Sequence, residues 1–116
     1  MRIEDVIAWQ KANLLNEELK RVLVLVEDVT LKIQIQRASL SIINNIIEAF
    51  ERTNKKETIF YLYEAKSACV ALNSKVNSLK LIYFVNLTTF EISFLLKLII
   101  EVSTLITELI TFVKFK

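Results

Sequence analysis

Gln34-Ile35-Gln36-Arg37-Ala38-Ser39-Leu40-Ser41-Ile42-Ile43-Asn44-Asn45-Ile46-Ile47-Glu48-Ala49-Phe50-Glu51-Arg52 decides the fold. Leu31, Ile35, Ala38, Ile42 and Ala49 recur at helical spacing, with Asn45 and Ile46 straddling the intermediate turn. A second apolar stripe takes Ile33, Leu40, Ile43, Ile47 and Phe50. A polar seam of Gln34, Arg37, Ser41, Asn44, Glu48 and Arg52 runs between them. A surface helix buries one stripe roughly 100° wide. Two stripes call for two partners, either within a monomer core or through a subunit interface. The interface is the sharper expectation, because a chain of 116 residues has little interior in which to hide such a helix.

The rest of the chain supplies matching helices. Ala8, Ala12, Leu15, Leu19, Val22 and Val26 alternate steps of four and three, a bundle seam. Asp5 falls in the expected first turn of that helix, and Trp9 lies beside the seam, where core packing and interface anchoring both remain open. Glu27-Asp28-Val29-Thr30 breaks the helix, with Asp28 as N-cap of the next. Asn54 followed by Glu57 has the arrangement of a capping box, and so has Thr88 followed by Glu91, flanked by Leu87 and Ile92 as a staple. Between them, Leu62, Ala65, Cys69, Leu72, Val76, Leu79 and Tyr83 form the third seam. The fourth helix is apolar except for Lys97, Glu101, Thr104, Glu108 and Thr111. The expectation is an all-α, antiparallel up-down four-helix bundle in one domain, with helices at about 4–26, 29–52, 55–83 and 89–113.

Composition narrows the chemistry. Apolar residues make up 53% and charged residues 24%, which gives no basis for disorder. No apolar run reaches the ~20 residues of a membrane span. The nearest, Phe94–Val113, is interrupted by Lys97, Glu101 and Glu108. The acidic opening Met-Arg-Ile-Glu-Asp has no apolar signal core, so a cytoplasmic protein is expected, without a membrane partner. With no His and one Cys, the usual zinc sets and His-based catalytic triads are missing, and Cys69 reads as a buried small hydrophobe. Without Gly there is no phosphate-cradling loop of the usual kinds. No cofactor and no enzymatic activity are expected. Average usage would give about eight Gly and about six Pro. Their absence points to a biased genome or an engineered, helix-idealised sequence, and the residues leave both open.

Charge suggests one further role. Residues 32–80 hold eight basic side chains against four acids, although the whole chain carries only +2. Arg52, Lys55 and Lys56 at the second turn, with Lys75 and Lys80 further along the third helix, are the candidates for contacting RNA or DNA phosphates. A solvated polar face accounts for the same charges. Tyr61 and Tyr63 near that turn could stack on bases, though packing is the commoner use of such rings.

The placed residues also resemble a known family. Ile3-Glu4-Asp5-Val6-Ile7-Ala8-Trp9-Gln10-Lys11-Ala12 is similar to the first helix of the four-helix-bundle proteins encoded in intervening sequences of bacterial 23S ribosomal RNA genes. Gln34-Ile35-Gln36-Arg37-Ala38, Ser41-Ile42, Asn45-Ile46 and Glu48-Ala49-Phe50 resemble the second helix of that family. Lys55-Lys56-Glu57 and Phe60-Tyr61-Leu62-Tyr63-Glu64-Ala65-Lys66 resemble the third. The likeness covers roughly residues 3–83. Where the family usually has Pro this chain has Ile43, and where it has Gly this chain has Ala49 and Glu51, with another Gly usual near Ile82. A Pro costs about 3 kcal/mol in a helix interior and a Gly about 1, so these replacements should straighten and stabilise the second helix. The resemblance implies a ring-like homopentamer without established enzymatic activity. A similar fold serves as the accessory protein of diversity-generating retroelements, where a basic pentameric barrel engages nucleic acid and a reverse transcriptase. That likeness is one of fold alone.

Overall fold

A computed structural model of the chain describes residues 2–82 and 89–116. It consists of a short 3₁₀ turn (Ile3–Asp5) and four helices, α1 (Ile7–Leu23), α2 (Val29–Glu51), α3 (Lys55–Ile82) and α4 (Thr89–Lys114), with no strand among the described residues. Each helix packs on its neighbours in the chain, and α1 closes the ring against α4. α4 runs in the opposite sense to both α1 and α3. Ile7 and Ala8 at the start of α1 lie by Leu109 and Phe112 late in α4. Val22 near the end of α1 lies by Phe90 and Phe94 at the start of α4. Tyr63 early in α3 meets Lys114 at the end of α4. The result is an elongated four-helix bundle of 48 × 23 × 21 Å.

The seams meet on the bundle axis. Every residue of the first seam, from Ala8 to Val26, is buried, as are Leu62, Ala65, Cys69, Leu72, Val76 and Leu79 on α3 and Ile92, Leu95, Ile99, Val102 and Ile106 on α4. The small side chains Ala65, Ala68 and Cys69 on α3 let other helices come close. Accordingly, α3 makes the broadest contacts, to α2 and to α4.

The caps form as the sequence predicts where they can be described. Asp28 Oδ1 accepts from the Leu31 amide at 3.0 Å. Asn54 Oδ1 accepts from the Lys56 and Glu57 amides at 2.8 and 3.3 Å. Thr88, Leu87 and the end of the third seam at Tyr83 lie outside the described residues. No described residue has positive φ, so the helix ends that can be described are made without left-handed residues. Arg52 leaves α2 by taking extended backbone, φ −83° and ψ 142°.

The first helix differs from the expected 4–26. Val6 is extended and splits the 3₁₀ turn from α1, so Asp5 is not in the first turn of an α-helix. The Val6 side chain is buried in the core, which a helix continuing from Asp5 would reach at another angle. At the other end α1 stops at Leu23, and the amides of Leu25 and Val26 close tight turns onto Val22 and Leu23. Alternating Val22, Val24 and Val26 are β-branched, which weakens the helix there, and burial of Val26 favours the turn.

Candidate functional site

The structure separates the two stripes of α2. Ile35, Ile42, Ile46 and Ala49 are buried completely, with Leu31 and Ala38 half-buried beside them. The second stripe divides. Ile43 belongs to the core of its own chain, only 8% exposed, and Ile47 and Phe50 are half-buried against that core. Ile33 and Leu40 point outward, 42% and 47% exposed. They stand seven residues apart with Ile47 seven further on, a line down one flank of α2. Large apolar side chains are also exposed on α4, namely Phe90, Phe94, Ile100 and Phe112, and on α1, namely Ile7 and Leu14.

Between the two stripes sits a contact that the sequence reading passed over. Ser39 is buried, and its hydroxyl donates to Asn16 Oδ1 at 2.9 Å, joining α2 to α1. Its only sequence signal was a serine at i+4 from Ile35 and i−3 from Ile42, within the buried arc. Trp9 is half-buried against the core, with an indole N–H that has no partner.

The candidate basic residues fall into two groups. Arg52, Lys55 and Lys56 gather where α2 ends and α3 begins. Lys75 and Lys80 lie about 30 and about 38 Å further along α3 at roughly 1.5 Å per residue, so the five do not share one patch. Lys114 and Lys116, at the end of α4, join the first group instead. Lys116 shares a groove with Arg52 and Lys55, and its ammonium lies 5.9 Å from the centre of the Phe112 ring. Lys114 donates to the Tyr63 hydroxyl at 3.0 Å and lies 5.4 Å from its ring centre. That hydrogen bond, and the ammonium charge behind it, hold the phenol below its ordinary pKa. Arg52 is partly committed: it pairs with Glu48 at 3.0 Å and lies over Tyr61 at 5.5 Å. Tyr61 packs against the core, whereas Tyr63 is exposed. The free amides at a helix start favour an anion, but those of Lys56 and Glu57 at the start of α3 are occupied by Asn54.

Cys69 is buried, and desolvation pushes its thiol up to about 12, against a weaker opposing pull from Lys66. Such a thiol stays protonated at neutral pH and cannot act as a thiolate. Among the described residues no three His, Cys, Asp or Glu side chains gather to hold a metal ion. No helix is long and apolar enough to cross a membrane, again among the described residues.

Fold and surface together define a helical-bundle protein with apolar outer stripes and one basic end. A family model for the 23S rRNA-intervening sequence protein matches residues 4–108. The chain belongs to that family, as the residues of its first three helices suggested. No curated protein matches it in a sequence search.

Proposed function

We propose that the protein is a non-enzymatic, self-assembling bundle whose working form is a homo-oligomer, pentameric as the family resemblance implies. The observation that carries this reading is the outward stripe of Ile33 and Leu40 on α2. Isolated exposed apolar residues are ordinary, but aligned ones mark surfaces that a partner covers. The exposed Phe90, Ile100 and Phe112 of α4 add to it. A ring needs two different faces that meet head to tail, and the stripe of α2 on one copy against the exposed apolar side chains of α4 on the next supplies such a pair. Sedimentation equilibrium at tens of micromolar tests the reading. A mass several times 13.5 kDa supports it, and 13.5 kDa refutes it.

The convergence of Lys114 and Lys116 on Arg52, Lys55 and Lys56 favours a second reading, an accessory protein that contacts RNA or DNA phosphates. Glu51 and Glu57 are exposed near the same end and reduce its field. A ring would repeat the patch in every subunit, so a modest local charge becomes a larger one. Contacts of this kind release counterions, and affinity falls steeply with salt. Labelled single- and double-stranded RNA and DNA, titrated at low and moderate salt, test it against Lys55→Glu/Lys56→Glu. Binding that is unchanged by the charge reversal removes this site, and no binding at low salt removes the reading.

A further inference from the structure

Three surface grooves break the bundle, and they differ in the sign of charge that lines them. Two lie between α1 and α4, about 310 and 260 Å³ in volume. The charged residues of the first are Asp5 and Glu108, and those of the second Glu18 and Glu91, without a cation. The third, about 450 Å³, opens at the end of the bundle where α2 stops, α3 begins and α4 finishes. Its charged lining residues are Arg52, Lys55 and Lys116, with the Glu48 carboxylate 3.0 Å from Arg52. Phe50, Leu62, Leu109 and Phe112 give it an apolar floor, and the hydroxyls of Thr53 and Thr58 stand at the sides.

We propose that this end groove binds a free single-chain anionic amphiphile, its carboxylate or phosphate head among Arg52, Lys55 and Lys116 and its apolar chain along Phe50, Leu62, Leu109 and Phe112. Charge complementarity sets the sign of the head. The floor sets the need for an apolar chain, because a bare anion leaves those side chains in water. The volume falls within the roughly 300–1,000 Å³ usual for small-ligand sites. A nucleic-acid backbone is polar along its length and has no use for the floor. All its lining residues belong to one chain, and the exposed Phe112 is shared with the assembly surface proposed above.

Isothermal titration of the full chain tests the proposal, with decanoate below its micelle concentration as the probe. Decyltrimethylammonium, inorganic phosphate and vesicles of anionic phospholipid are the parallel arms. Saturable binding of decanoate at one per chain is expected, with no binding of the cation or of phosphate alone. Lys55→Glu should weaken it about tenfold, as the loss of a charge-assisted contact. Phe112→Ser should weaken it too, and Lys75→Glu, far along α3, should leave it unchanged. If a variant loses its helical signal, methyl chemical shifts of Leu62 and Leu109 in the parent carry the test, since a chain in the groove must move them. Equal binding of the cationic amphiphile overturns the proposal. So does binding to vesicles alone, or decanoate affinity indifferent to Lys55→Glu in a folded protein.

Discussion

The inner and outer stripes of α2 are built from the same residue types and meet opposite fates. Ile35, Ile42, Ile46 and Ala49 vanish into the core, while Ile33 and Leu40, on nearly the opposite side of the same helix, keep nearly half their surface in water. Ile43 lies at the border and goes inward. Helical periodicity reports an apolar face and says nothing of what covers it. Ile33 and Leu40 face away from the buried arc of α2 and stay exposed among the described residues.

The sharpest way to break that contrast is a charge on each stripe in turn. Ile46→Asp places a carboxylate where no water or partner reaches, and the chain should fail to fold, with loss of the helical circular dichroism signal. The milder Ile46→Ala should cost about 2–5 kcal/mol in urea unfolding. A cost near zero would mean that the inner stripe is not the core. Ile43→Glu should behave like the inner set, although Ile43 belongs by spacing to the second stripe, because Ile43 is buried.

A smaller effect is expected at the polar contact that Ser39 makes with Asn16. Ser39→Ala removes the donor to Asn16 Oδ1 and leaves that acceptor without its partner, at about 1–3 kcal/mol. The denaturation midpoint should fall with the slope unchanged. An unchanged midpoint would mean the hydrogen bond contributes nothing net.

The gentlest probe is the thiol that lines the core from α3. Cys69 should resist a thiol reagent in the native protein at pH 8 and react at once in denaturant. Burial raises its pKa, so the unfolded chain ionises first. Its contribution to stability is therefore complete below the ordinary 9.0 and is lost as pH climbs from there through about 12. Rapid native labelling at pH 8 would show that α3 opens away from α2 far more often than this packing allows.

Much of the architecture was legible in the residues. The seams from Ala8 to Val26 and from Leu62 to Leu79 are regular because their partners are all helices of similar pitch. The caps at Asp28 and Asn54 are local chemistry, settled within three residues. What was not legible depends on residues far apart in the chain. The break at Val6 comes from burying its side chain against distant helices. Ser39 reads as polar until Asn16, 23 residues earlier, is found facing it. Lys114 and Lys116 could not be grouped with Lys55 until the fold brought the end of α4 back to the second turn. Lys75 and Lys80, near in sequence and equal in charge, were grouped with it although the rise of one helix carries them away.

On the reading of a self-assembling bundle, the outer stripe of α2 is covered by a second copy of the chain. Light scattering after size exclusion, paired with circular dichroism, tests it on the parent and on Ile33→Glu/Leu40→Glu. The account predicts a parent several times 13.5 kDa, fivefold for a pentamer, and a double variant of 13.5 kDa with its helix content intact. A monomeric parent would contradict it, and so would a folded double variant that keeps the parent's mass.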